Sequence, residues 1–239
     1  MELIKKDCPS VLAVIPARGG SKRLPRKNIL PIAGHPMIAY SIMAVRDATR
    51  VTDWLVSSDD DEIINIALEY GADAPFKRPE ALATDEIRNI DVTLHALKYM
   101  EEKRGYKYDI IVLLQPTSPI RSPEHIDLAI ERLWTSELES LAAIKGPFQK
   151  RDPVLKRINE HGELVSYCSD PELDKREPFY IYNAALYAVK RDYFVREKRF
   201  TAEKQVPLIM DKFHSIDVDD MADMIVADAY LQYLSKKEV

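Results

Sequence analysis

The chain has 239 residues, with 34 Lys or Arg against 39 Asp or Glu, so its formal net charge is −5 at pH 7. The 46% hydrophobic content is typical of a globular protein and argues against disorder. No apolar run approaches the roughly 18 residues that a membrane helix needs. Residues 1–9 carry charges where a signal peptide would be apolar, and Cys8 and Cys168 are too few for a disulfide framework. We therefore expect a cytoplasmic protein that binds neither a membrane nor, given its acidic balance, nucleic acid.

Apolar runs without polar alternation predict strands that are buried on both faces, at residues 11–16 and 109–114. Shorter strands are predicted at 54–57 and 140–144, and helices between them at 36–48, 60–70, 87–103 and 123–135. This alternation predicts βαβ units in a mostly parallel sheet, which is an α/β fold. Local signals also predict helix caps, which are Asp59, Ser122, Gly71 and Gly105.

Residues 146–182 interrupt this pattern with turn residues and dense charge. They predict a hairpin around His161-Gly162 that stands off the main sheet. Regular structure resumes with a strand at 182–189 and an amphipathic helix at about 220–234. The predicted domains are thus a core of residues 1–145 and 183–239 and a protruding arm of residues 146–182, which favours a homodimer.

The loop after the first strand packs five cations and two adjacent glycines into residues 17–28. Adjacent glycines let backbone amides approach a phosphate, and Lys and Arg supply charge-assisted bonds. A solvated basic loop is the alternative, and neither a Walker loop nor a dinucleotide fingerprint is present. Because ligands of parallel sheets bind beyond the carboxyl ends of the strands, the position favours polyphosphate binding.

Asp217 and Asp219 are two residues apart, so an extended segment points both carboxylates to one side, where they could hold Mg2+. Alternatively, one of them caps the final helix, a role that also suits Asp220. The competing acidic cluster, at residues 59–61, opens a helix and is interpreted mainly as capping. The five histidines are scattered and predict no metal site.

Four motifs occur in order along about two hundred residues. They are Pro16-Ala-Arg-Gly-Gly-Ser-Lys-Arg-Leu-Pro-Arg-Lys-Asn28, Arg78-Pro-Glu-Ala-Leu-Ala-Thr-Asp85, Leu113-Leu-Gln-Pro-Thr-Ser-Pro-Ile-Arg121 and Ser215-Ile-Asp-Val-Asp219. Together they resemble the CMP-sialic acid synthetases, the cytidylyltransferases that activate nine-carbon α-keto acids. The resemblance implies a three-layer, Rossmann-like nucleotidyltransferase fold with a dimerisation hairpin.

The resemblance also implies the reaction, in which CTP and a nine-carbon sugar acid give a CMP-sugar and pyrophosphate. Arg18, Lys27 and Asp217 would be catalytic, and Asp217 and Asp219 would bind Mg2+, which would also assist deprotonation of the acceptor hydroxyl. The nucleotide would be bound by residues of the first loop and by two later side chains, namely Ala17, Arg18, Gly19, Gly20, Ser21, Lys22, Lys27, Asn28, Arg78 and Asn89.

By the same resemblance, the sugar acid would contact Gln115, Asn183 and Tyr187, with Lys156 and Arg176 contributing from the arm. The alternatives are an ordinary turn at Gln115 and plain surface cations in the arm. The aromatic residues before Asn183, at 179, 180 and 182, could shape the acceptor pocket or simply pack in the core. The family pattern of Arg-Pro-Asn-Gly-Ala-x-Tyr is altered here to Ile181-Tyr-Asn-Ala-Ala-Leu-Tyr187. This departure leaves the choice among sialic, legionaminic and pseudaminic acid open.

Two other functions stay open at this point. One is a nucleotidyltransferase for a different sugar acid or sugar phosphate. The other is a non-catalytic nucleotide-binding protein on the same fold, against which the basic loop and the two aspartates argue.

Overall fold

The structure is a computed structural model that describes residues 8–21, 23–84, 86–148, 156–166 and 179–236, without the side chains of Lys156, Arg157 and Ser166. The strands are β1 (Val11–Pro16), β2 (Pro31–Ile32), β3 (His35–Pro36), β4 (Asp53–Ser57), β5 (Ile110–Leu114), β6 (Ser140–Phe148), β7 (Lys156–Ile158), β8 (Leu164–Ser166), β9 (Phe179–Lys190) and β10 (Val206–Met210). The α-helices are α1 (Met37–Asp47), α2 (Asp61–Glu69), α3 (Asn89–Arg104), α4 (Pro123–Thr135), α5 (Arg191–Glu197) and α6 (Met221–Ser235).

A six-stranded sheet with the order β10-β6-β9-β5-β1-β4 organises the fold. β1 pairs in parallel with β4 and β5, and β6 pairs in parallel with β10. β9 is antiparallel to both of its neighbours. The predicted mostly parallel sheet is therefore confirmed.

The core lies on both faces of this sheet. Ala13 and Ile15 belong to one buried cluster with residues of α1 and α4, whereas Leu12 and Val14 belong to a second with residues of α3 and α5. Because successive residues of β1 enter apolar layers on opposite faces, the strand has no polar alternation. The three-layer α/β architecture is confirmed.

Helix ends follow the predicted chemistry with one correction. α2 begins at Asp61 and its cap is Asp60, whose carboxylate accepts from two helix amides at 3.0 Å, so the prediction that Asp59 caps this helix was wrong. Ser122 precedes α4 and pairs with His125, and Asp220 caps α6. The left-handed glycines after α2 and α3 are confirmed, with φ of 83° at Gly71 and 76° at Gly105.

Three elements were not predicted from the sequence: the β2–β3 hairpin, α5 and β10. Each is short, and β10 carries Pro207, a residue that argues against a strand in the sequence. The β7–β8 hairpin confirms a turn at 161–162, and the long strands β6 and β9 continue past the predicted domain boundaries to pair at Phe148 and Phe179. In the described ranges, no helix is both long enough and apolar enough to cross a membrane.

A bulge interrupts β9 beside the predicted acceptor residues. A step of two residues on β6, from Ala142 to Ile144, is matched by a step of five on β9, from Tyr187 to Tyr182. Ala184 lies inside this bulge with φ of 61°, in the left-handed region that favours glycine. In a regular strand, Asn183 and Tyr187 would lie on one face, because they are four residues apart. The bulge lies between them, so this count does not apply here.

We predict that Ala184→Gly stabilises the protein by about 1 kcal/mol, because glycine relieves the left-handed strain of an L-residue. The matched control is Ala185→Gly, at a buried position without positive φ, which should destabilise by about 1 kcal/mol. Guanidinium unfolding of both variants measures the difference. A destabilised Ala184→Gly variant would contradict the assigned strain.

Candidate active site

A cleft opens where β1 and β5 end side by side. The chain passes from β1 to β4 on one side and later to β5 on the other, so this is the switch in strand order at which α/β sheets bind ligands. The cleft has a volume of about 410 Å3. Eight residues predicted from the sequence line it, namely Arg18, Gly20, Ser21, Lys27, Asn28, Arg78, Asn89 and Gln115.

The loop after β1 is held by its own backbone and by Asn28. The amide of Ala17, which is fully buried, donates to the carbonyl of Ser57 at the end of β4 at 3.0 Å. Asn28 is buried and its Nδ2 donates to the carbonyl of Arg18 at 3.0 Å. Asn28 thus fixes the shape of the loop as well as lining the cleft.

Lys27 connects this loop to the segment before α6. Its Nζ donates to the carbonyl of Val218 at 2.7 Å and lies 3.2 Å from Oδ1 of Asp219. Arg23 pairs with the other oxygen of the same carboxylate, at 3.0 Å. The structure therefore brings the predicted phosphate-binding loop and the predicted metal-binding segment together.

Asp217 is half-buried on the same segment. Its Oδ1 is buried and has no hydrogen-bond partner in the described structure. Burial raises the pKa of this carboxyl, and the charge of Asp219 raises it further, while Thr117 and Lys27 oppose the shift. A carboxylate that is short of partners beside a second carboxylate is stabilised by a cation, so this oxygen donor set fits Mg2+.

The metal would take only part of its ligands from the protein. Among the described residues, no three His, Cys, Asp or Glu side chains form a group that could hold a metal ion. A cation here would therefore need phosphate oxygens or water besides Asp217 and Asp219. Asp219 would also have to share its charge with Lys27 and Arg23.

Arg78 is buried, and it lines the cleft on the wall that faces the loop after β1. Its amide donates to the carbonyl of Ser58 at 2.7 Å, and its Nη2 donates to Oδ1 of Asp59 at 2.9 Å. The guanidinium of Arg18 donates to the carbonyl of Thr84 at 3.4 Å, which links the first loop to the segment that follows Arg78. Asn89 begins α3 and lines the cleft between these groups.

The predicted acceptor residues lie in different surroundings. Gln115 lines the cleft, but the buried Asn183 donates to Ser215 Oγ at 3.0 Å and accepts from the amide of Ala185 at 3.1 Å. Tyr187 is half-buried beside Tyr182, and burial raises the pKa of its hydroxyl. Neither Asn183 nor Tyr187 is among the residues that line the cleft.

Three other predicted residues cannot be positioned at the cleft. Lys22 and Arg176 lie outside the described residues, and Lys156 begins β7 but its side chain is not described. Their assigned roles stay predictions.

Comparison with known proteins identifies the family. The family model for cytidylyltransferases matches residues 12–229. This chain belongs to the cytidylyltransferase family. It is 32% identical, over 93% of its length, to the CMP-N,N'-diacetyllegionaminic acid synthase of Legionella pneumophila, of which it covers 96%. The resemblance to the CMP-sialic acid synthetases is confirmed.

Two further proteins are similar to this chain, one in sequence over part of its own length and one in structure. The chain is 30% identical to the N-acylneuraminate cytidylyltransferase of Escherichia coli, over 96% of its own length but 54% of that relative, so it spans about half of it. Its structure is similar to that of a CMP:2-keto-3-deoxy-manno-octonic acid synthetase complexed with CTP, with a TM-score of 0.67 and 18% identity over 96% of this chain and 100% of the other. The second likeness shows a shared fold.

Sequence reasoning did not single out Arg121, whose side chain contacts the loop after β5. Arg121 is buried, and its guanidinium donates to Ser41 Oγ at 2.7 Å, to the carbonyl of Gln115 at 3.4 Å and to the carbonyl of Ala185. Burial lowers its pKa to about 9. The available signal was its place at the end of the Leu113–Arg121 motif, although no spacing rule indicates that an Arg side chain is buried.

We predict that the two adjacent glycines of the loop differ in how well they tolerate replacement by alanine. A Cβ on Gly19 would lie 2.6 Å from Oδ2 of Asp60, a carboxylate already held by Arg26 and by helix amides, so Gly19→Ala should cost about 1–3 kcal/mol of stability. A Cβ on Gly20 would meet nothing within 4 Å, so Gly20→Ala should change stability by less than about 0.5 kcal/mol. Guanidinium unfolding compares them, and equal losses would contradict the prediction.

Proposed function

We propose that the protein transfers CMP from CTP to a nine-carbon α-keto sugar acid and releases pyrophosphate. The observation that carries this proposal is the cleft at the ends of β1 and β5, where Lys27 joins the basic loop to the segment of Asp217 and Asp219. The names of the Legionella and Escherichia coli relatives support the substrate class.

Nucleotidyl transfer requires that the two substrates are positioned and that the charge of the phosphates is neutralised. The anomeric hydroxyl of the sugar acid attacks the α-phosphorus, the bond to the bridging oxygen of pyrophosphate breaks, and the hydroxyl loses its proton. Arg18 and Lys27 line the cleft from the loop side, so we assign them to the phosphate oxygens, with Lys22 as a further predicted contact. Arg78 and Asn89, from the other wall, are assigned to the nucleotide.

Asp217 and Asp219 would hold Mg2+ against the triphosphate. When bound, the ion supplies charge neutralisation at the phosphates and can lower the pKa of a coordinated hydroxyl. The task of the two aspartates is to present oxygen donors at the loop that carries Lys27. The buried, unpartnered Oδ1 of Asp217 supports this assignment.

The acceptor would bind at the end of β5, where Gln115 lines the cleft. The side-chain amide of Asn183 is already hydrogen-bonded at its nitrogen and at its oxygen. We therefore propose that Asn183 stabilises the bulge and affects acceptor binding through it. Tyr187, Lys156 and Arg176 remain proposed acceptor contacts. Because the reaction consumes a nucleoside triphosphate, we propose the cytoplasm as its compartment.

We also propose that the protein is a homodimer. The ends of β6 and β9 expose an apolar surface, here called the arm face, made of Phe148, Tyr180, Ile181 and Tyr182. In the β7–β8 hairpin, Ile158 and Leu164 are each 71% exposed. Several exposed apolar side chains at the ends of two paired strands favour association with a second copy.

Pyrophosphate release tests the function. The wild-type protein with Mg2+ should release pyrophosphate from CTP, and not from UTP, ATP or GTP, when supplied with one of sialic, legionaminic or pseudaminic acid. The eight-carbon keto acid is the acceptor control and should give little release. CTP binding without release from any of the four acids would instead indicate a non-catalytic nucleotide-binding protein.

Replacement of Asp217 tests the metal assignment. Asp217→Asn keeps the size of the side chain but removes its charge, so turnover should fall at least about a hundredfold, because metal neutralisation contributes several kcal/mol. The Mg2+-dependent gain in CTP affinity, measured by calorimetry, should also disappear. Asp211→Asn, at an exposed carboxylate that pairs with His214, is the control. Unchanged turnover and an unchanged Mg2+ effect in Asp217→Asn would exclude the metal role.

Light scattering tests the dimer. The wild-type protein should show the mass of two chains, and Ile181→Glu in the arm face should shift it towards one. Val195→Glu, at a similarly exposed position on α5, should leave the mass unchanged. A single-chain mass for the wild type at all concentrations would disprove the dimer.

A further inference from the structure

We propose that Asp59 is a positioning residue for the nucleotide, because its carboxylate fixes the phosphate-binding loop and Arg78 to each other. This inference rests on the proposed use of CTP. Asp59 follows β4, the strand next to β1, and so stands between the loop after β1 and the wall that carries Arg78.

One oxygen of Asp59 makes both contacts. Oδ1 accepts from the backbone amide of Gly19 at 3.3 Å and from Nη2 of Arg78 at 2.9 Å. The side chain of Arg78 is 3% exposed and that of Asp59 is 22% exposed. A charge pair that is this shielded from water is screened little by salt, so it holds its geometry better than a surface pair.

Helix capping does not account for Asp59. The cap of α2 is Asp60, which accepts from the amides of Glu62 and Ile63 and also binds Arg26. Within the described residues, the hydrogen bonds of Asp59 go to Gly19 and Arg78 instead of to α2. Its carboxylate is therefore committed to the two walls of the cleft.

Arg78 depends on this contact for its orientation. Asp59 is its ion-pair partner, whereas the Nε of Arg78 is buried without a hydrogen-bond partner in the described structure. In Asp59→Ala, the buried guanidinium would lose the acceptor of its Nη2, its one side-chain hydrogen bond among the described residues, and it would turn towards water. The amide of Gly19 would lose its acceptor at the same time, so both walls would lose their relative position.

Because both hydrogen bonds end on Oδ1, two variants can separate the effect of the acceptor oxygen from the effect of the negative charge. Asp59→Asn retains a carbonyl oxygen that can accept both bonds, whereas Asp59→Ala removes the acceptor altogether. We expect the KM for CTP to rise about tenfold in Asp59→Ala and less than threefold in Asp59→Asn. The KM for the sugar acid should stay within twofold in both variants.

The control is Asp61→Ala, which removes a carboxylate that is 76% exposed and pairs with Lys77 at the surface. It should leave both KM values unchanged. A merely structural role of Asp59 would lower stability and raise both KM values together, without rescue by Asn, and that result would overturn the proposal. An unchanged KM for CTP in Asp59→Ala would overturn it as well.

Hydrogen exchange separates this proposal from the proposed function. Exchange at the backbone amides of residues 17–21 should accelerate in Asp59→Ala, but not in Asp61→Ala, with no nucleotide present. Unchanged exchange in this loop would overturn the positioning role even if the wild type uses CTP. A wild type that releases no pyrophosphate from CTP would instead contradict the proposed function, and the exchange result would still decide whether Asp59 fixes the loop.

Discussion

The site depends on the parallel pairing of β1 with both β4 and β5. β1 is buried on both faces, and β4 and β5 pair with it in parallel, one on each side. Parallel strands end at the same edge of a sheet, and three loops therefore meet there. They carry the basic residues after β1, Asp59 after β4 and Gln115 after β5. Because the chain departs to opposite sides of β1, these loops leave a crevice between them.

Opposite charges then give the crevice its shape before any nucleotide is bound. The chain is acidic overall, yet five of its Lys and Arg residues lie within residues 17–28. Several cations around the crevice are already held by carboxylates. Lys27 is held by Asp219 and a carbonyl, Arg78 by Asp59, and Arg26 by Asp60, whose pKa the Arg26 bond lowers. A site whose charged groups are fixed in advance loses less conformational entropy on binding. The acidic residues after β4 thus hold the basic loop in place through hydrogen bonds and ion pairs.

The sequence predicted the sheet, and it predicted that the loop after β1 lies at the ligand edge, because both depend on local patterns. An unbroken apolar run indicates a buried parallel strand, and the residues that follow it must lie at the ligand edge. It did not predict the hydrogen bonds of Asn183, since the bulge at Ala184 depends on how β6 and β9 pair across a long connection. The roles of Asp59 and Arg121 were missed for a similar reason. An acidic residue beside a helix start is expected to cap, and only the structure shows that Asp60 already does so.

The most direct test of the account is the position of bound CTP, determined in a crystal structure of the complex with Mg2+. We expect the triphosphate over residues 18–28 and the cytosine between Arg78 and Asn89. A second cleft of about 710 Å3 lies elsewhere, between α1, α6 and residues 119–123. CTP bound in that second cleft, with the loop after β1 empty, would contradict the account.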